Sequence, residues 1–287
     1  MNVLVTGATG KQGGATARAL LSNGQRVRAM TRNRESPAAV ALASAGAEVV
    51  VGDFRDRDAL IAAMEGVEAL FAMTTFFEEG VAAEVEQGKT LVDAARAAGL
   101  AHVVQTSVAS ADRQTGIPHF DSKYEVEQYL AASGLPYTVI APVAFMENML
   151  IPPVLDGVRQ GVYAAPLPAD RKLQQIAVDD LGRFAVLVIE RRESMLGKRI
   201  ELASDELNGS EQASILSEVL GREIRYQELP LDVVRQQSEE VAVMYEWFDR
   251  VGYDSDIAEL RQLYPDVGWH TFADWARQQD WSSLDAR

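Results

Sequence analysis

Through the first 140 residues, apolar runs of strand length alternate with stretches whose apolar positions recur at helical spacing. The runs at 3–6, 26–31, 48–51, 69–73, 103–106 and 137–140 are hydrophobic at successive positions rather than at every second one, as in strands covered on both faces. Helices are expected between them at 12–22, 37–45, 57–64, 82–98 and 119–132, most bounded by glycine or proline at one end. Strict alternation of strand and helix implies right-handed crossovers and an α/β fold with a doubly wound parallel sheet. Beyond residue 150 the rhythm loosens. Pro152-Pro153 and Pro166-Leu167-Pro168 punctuate an irregular stretch, and strands at 174–178 and 199–202 flank a helix at 180–192. The rest reads as a smaller α+β lobe, with helices at 211–220, 233–250 and 271–278 and a strand at 223–229.

A chain of 287 residues allows about two domains at ~150 residues each. Its 27 basic side chains against 42 acidic ones leave a net charge of −15. A surface of that sign repels phosphate backbones and anionic lipid, so neither nucleic acid nor membrane is expected as a partner. There is no cysteine, hence no disulfide framework or thiolate chemistry, and a reducing cytoplasm is the expected setting. The opening Met1-Asn2-Val3-Leu4-Val5-Thr6-Gly7 has no basic region or apolar leader, and no run of ~18 apolar residues follows. His102, His119 and His270 stand far apart, so no metal site is expected. Charge is unevenly spread. Residues 1–34 hold six basic side chains and no acid, whereas 201–287 hold seven basic and nineteen acidic; the basic N-terminal edge invites a small anion.

Gly7-Ala8-Thr9-Gly10-Lys11-Gln12-Gly13-Gly14 follows the first strand and opens the first helix. Gly7, Gly10 and Gly13 in that place permit a tight turn, close approach of a pyrophosphate and close helix packing, with the helix N-terminus facing the phosphates. The first region thus reads as a Rossmann-type dinucleotide-binding domain over 1–150, joined by segments from 172–203, with 151–287 as the smaller lobe. An acid ~20 residues after the motif normally holds the ribose diol of NAD. The first acid of this chain is Glu35, and the second strand ends Met30-Thr31-Arg32-Asn33-Arg34. Arg32 stands where a 2′-phosphate would lie, so NADP(H) is expected ahead of NAD(H).

These residues, with Val51-Gly52-Asp53-Phe54, His119-Phe120-Asp121-Ser122-Lys123, Phe145-Met146-Glu147-Asn148 and Val178-Asp179-Asp180-Leu181-Gly182, give the chain its likeness to a known group. It resembles the NmrA-like (HSCARG-like) atypical short-chain dehydrogenase/reductases over nearly its whole length. The resemblance implies that Asp53 and Phe54 border the adenine, that Thr74 and Thr75 lie beside the dinucleotide, and that Pro142, Val143 and Phe145 flank the nicotinamide. Ala141 stands where the family commonly has arginine. Reductases of the wider superfamily use Tyr-x-x-x-Lys; here the residue four before Lys123 is His119. One helical turn puts both on one face, so His119 either donates a proton to a substrate oxygen or simply opens the helix after Pro118. Lys123 would orient the ribose, and Ser107 sits where the superfamily places a hydroxyl that holds the substrate oxygen. Two functions follow. One is an NADPH-dependent oxidoreductase acting on a quinone or an aromatic ketone of polyketide type, as monomer or homodimer. The other is an NADP(H)-binding redox sensor that turns over little and acts through a protein partner.

Overall fold

The structure is a computed structural model and describes residues 1–284. Its first 142 residues build β1 (Asn2–Val5), α1 (Lys11–Ser22), β2 (Arg26–Thr31), α2 (Pro37–Ser44), β3 (Glu48–Val51), α3 (Arg57–Ala63), β4 (Ala69–Ala72), α4 (Gly80–Ala97), β5 (His102–Thr106), α5 (Pro118–Ala132) and β6 (Tyr137–Pro142). The chain then adds β7 (Ala144–Phe145), α6 (Pro152–Arg159), β8 (Val162–Ala165) and β9 (Leu173–Ile176) before α7 (Val178–Glu190), α8 (Arg192–Met195) and β10 (Arg199–Leu202). Last come β11 (Asp205–Leu207), α9 (Gly209–Leu220), β12 (Arg225–Glu228), α10 (Leu231–Gln237), α11 (Glu239–Arg250), α12 (Ile257–Leu263) and α13 (Phe272–Gln278). Two compact units result. Of the described residues, one comprises 1–114, 118–141 and 178–201; the other comprises 115–117, 142–177 and 202–284.

The first unit is a seven-stranded sheet in the order β10-β6-β5-β4-β1-β2-β3. The ladders joining β1 through β6 are parallel, as expected for strands hydrophobic at successive positions. On one face Leu4, Leu70 and Val103 meet Leu60, Leu91 and Leu130 from α3, α4 and α5 in a single buried cluster. On the other, α1 and α7 approach so closely that a Cβ on Gly182 would lie 2.8 Å from the Ala15 carbonyl. The strand order reverses between β1 and β4, which opens a crevice at their carboxyl ends.

The second unit holds two small sheets. β9 pairs with β11 antiparallel and with β7 in parallel, and β8 pairs with β12. Met146, Met149, Val158, Leu216, Phe272 and Trp275 form its buried cluster, so the apolar run around Met146 is core. The helix expected over 233–250 is two helices: Ser238 is extended, and its hydroxyl accepts the Val241 amide to cap α11. Among the described residues no helix is long and apolar enough to cross a membrane.

Candidate cofactor and active site

The crevice is built first by the backbone. Thr6 Oγ1 accepts the Met73 amide at 2.8 Å and lies 3.0 Å from the Met73 carbonyl, which ties the end of β1 to the end of β4. The chain then turns at Gly7, whose φ of +58° is a left-handed conformation that glycine adopts without strain. A Cβ on Gly13 would collide with the Gly7 carbonyl. Gly10 caps α1 without a side-chain hydrogen bond, and the first turn carries no acid. The leading amides of α1 therefore face outward with a positive dipole end and no carboxylate to occupy them, the arrangement that binds phosphate. Lys11 lies exposed on that turn, and the Gln12 side chain accepts the Thr106 hydroxyl at 2.7 Å.

From the turn a cleft of about 470 Å³ runs over the ends of β2 and β3, with Gly7, Thr9, Thr31, Arg32, Phe54 and Thr75 among its walls. Its charges are already paired. Arg32 donates to Glu78 at 2.6 Å, while Arg55 holds Asp53 through three hydrogen bonds, two from its guanidinium and one from its backbone amide, and reaches Glu79 at 3.2 Å. Those Arg55 hydrogen bonds push the Asp53 carboxyl down to about 2. Asp53, Phe54, Thr75 and Arg32 thus share one cleft with the glycine turn. Arg55, Glu78 and Glu79 were not among the sequence candidates; Arg55 follows Asp53 by two positions and carries the only local signal.

A second cluster forms where α5 passes α4. Glu84 is fully buried and accepts Lys123 Nζ at 2.7 Å, Ser122 Oγ at 2.7 Å and Thr74 Oγ1 at 3.3 Å. Lys123 also donates to the Thr74 carbonyl at 3.2 Å. An ammonium has three donors; two hold Lys123 in place and one remains. His119, one turn earlier, stacks on Phe76 with ring centroids 4.6 Å apart and meets the edge of Phe120. Ser107 follows β5, and its Oγ is buried without a well-formed hydrogen bond, as is Glu127 Oε1. Burial raises the Glu127 pKa above the usual carboxylate range, against the opposing pull of Arg199 and a weak contact from the Ser107 hydroxyl. Arg199 donates to Glu127 at 2.9 Å and to the Val108 carbonyl at 2.9 Å, bracing the loop that follows Ser107.

Of the remaining candidates, Pro142, Val143 and Phe145 belong to the second unit. There the Val143 amide donates to the Leu202 carbonyl, and Phe145 pairs with Ile176 in the ladder of β7 and β9. Trp247 and Phe248 are buried with Tyr253, whereas Phe77 is 83% exposed. Among the described residues no group of three metal-ligating side chains occurs.

The sequence matches the NmrA-like family over residues 1–276. The chain belongs to that family. Among NmrA-like relatives, the NmrA-like family domain-containing oxidoreductase FrzB of a Cladobotryum species is 31% identical over 252 residues, covering 78% of this chain and 75% of its own. The NADPH-dependent quinone oxidoreductase QOR2 of Escherichia coli, solved with NADPH, superposes with a TM-score of 0.80 at 27% identity over the full length of both chains. NmrA itself, a negative transcriptional regulator solved with NADP, shares the fold with a TM-score of 0.76 at 22% identity over 98% of each chain. The proteins it is similar to thus include ones described as oxidoreductases and, at the level of fold, one described as a regulator.

Proposed function

We propose that the chain is an NADPH-dependent oxidoreductase acting on a quinone or an aromatic ketone of polyketide type. The observation that carries this reading is the cleft: a glycine turn and an uncapped helix N-terminus beside Arg32, with no acid at the end of β2. An NAD-selective site would want a carboxylate there for the ribose diol. The likeness to a quinone oxidoreductase solved with NADPH supports both the cofactor and the substrate class.

Bound here, the reduced nicotinamide supplies hydride. The chain's own residues do the rest. Gly7, Thr9, Gly10, Lys11, Gln12 and Gly13 present the turn and helix end to the pyrophosphate, Arg32 takes the 2′-phosphate, and Asp53 and Phe54 border the adenine. Thr74 and Thr75 line the dinucleotide, and the remaining Lys123 N–H meets a ribose hydroxyl. Ser107 holds the substrate oxygen, and His119 gives that oxygen the proton that balances the hydride. Mixing the protein with NADPH and a panel of quinones and aromatic ketones, while following absorbance of the reduced cofactor, tests this directly. Turnover is expected with at least one of them. His119→Phe should keep NADPH affinity and lower turnover ~10²–10⁴-fold, the usual size of a general-acid contribution.

One observation favours a second reading, an NADP(H)-sensing regulator. The imidazole that stands in the tyrosine's place has one face covered by Phe76. Tight NADPH binding with no turnover across the panel would select that reading.

A further inference from the structure

Three carboxylates and two guanidiniums line the cleft, and their partners differ. Asp53 is gripped by Arg55, and Glu79 is held by both Arg55 and the Gln87 amide at 2.7 Å. Glu78 has Arg32 at 2.6 Å as the partner of its side chain. A carboxylate and a phosphate oxygen are the same kind of acceptor for a guanidinium fork, so Glu78 sits where a phosphomonoester on Arg32 would sit. With the other two acids fixed on Arg55, a ligand of charge about −2 entering beside Arg32 meets a site whose positive charge is already spent.

We propose that Glu78 is a built-in stand-in for the cofactor's 2′-phosphate, which must displace it from Arg32, so that Glu78 sets the affinity ratio between NADPH and NADH. The inference rests on the NADP(H) reading above and adds a specificity-determining residue to it. The displacement is mechanically easy. Arg32 and Glu78 are 59% and 51% exposed, so the released carboxylate passes into water without burial. It also lies on the surface turn between β4 and α4, beside the exposed Phe77, where the Gly80 amide donates to the Phe76 carbonyl at 2.8 Å. NADH has no 2′-phosphate and leaves the Arg32–Glu78 pair intact.

The test is titration of NADPH and NADH into the wild-type chain, Glu78→Gln, Arg32→Ala and the double variant, read by cofactor fluorescence. Glu78→Gln is expected to tighten NADPH binding about three- to tenfold, the range commanded by an exposed ion pair and the repulsion it replaces. NADH affinity should stay within about twofold, the limit expected when no phosphate is exchanged. In the Arg32→Ala background, where only the repulsion is left to remove, the same substitution should raise the NADPH/NADH ratio by less than it does in the wild-type chain. An unchanged ratio in Glu78→Gln, or equal tightening of both cofactors, overturns the proposal while leaving NADPH binding in place. A wild-type chain that binds neither cofactor overturns both readings together.

Discussion

Two lysine–glutamate pairs tie α4 to α5, and both measure 2.7 Å. Lys89–Glu125 lies at the surface, with side chains 30% and 53% exposed, whereas Lys123–Glu84 is 12% and 0% exposed. Equal lengths conceal unlike energetics. The outer pair loses little hydration and gains little, ~0–1 kcal/mol. The inner pair gives up several kcal/mol of hydration per ion, recovered only through mutual attraction and added hydrogen bonds. Ser122 and Thr74 supply those bonds. What the inner pair secures is position: the ammonium is fixed on the Thr74 carbonyl, beside the crevice. Arg32–Glu78 is the third case, an outer pair at a place where exchange has a use.

The comparison breaks most visibly at Glu84. Glu84→Ala strands a buried ammonium and should lower stability by about 3–5 kcal/mol in urea unfolding. Combining Glu84→Leu with Lys123→Met should recover most of that loss. A loss under ~1 kcal/mol would mean the two pairs are energetically alike. A smaller effect comes from a buried base. His102 is fully buried, its Nε2 lies 2.9 Å from the Thr138 hydroxyl, and burial, helped by Arg192, pushes its pKa down to about 4. The folded state therefore resists a proton that the unfolded chain accepts below about 6.5. This contribution is fully present above that pH and fades as pH falls toward about 4. It is worth on the order of 3 kcal/mol. Unfolding wild type and His102→Gln at several pH values isolates it: the difference between them should change across this window and be flat above it. The smallest effect belongs to Lys89→Ala, which should cost no more than ~1 kcal/mol and respond to added salt.

The alternating strands and helices of the first unit were legible because continuous apolar runs have one reading in a sheet covered on both sides. The second unit hid more. β7, β8 and β11 are two to four residues long, with little hydrophobic pattern to announce them. Pro152-Pro153 reads as a break, yet it begins α6, since proline fits the first helical turn. At the site, the glycine turn and Arg32 are local features and could be read directly. Glu84 and Glu78 could not, because their partners lie 39 and 46 positions away. Nothing near either acid in sequence separates it from an ordinary solvated one.

The close contact between Gly182 and the Ala15 backbone also has a meaning in time. The helix that covers α1 lies about 170 residues after it, beyond β7, α6, β8 and β9. At ~5–20 residues per second, α1 waits roughly 10–30 s for its cover. Throughout that interval Ala15, buried in the finished protein against Gly182, lacks its cover on the nascent chain, so the glycine turn is synthesised long before the helix it opens is fully packed.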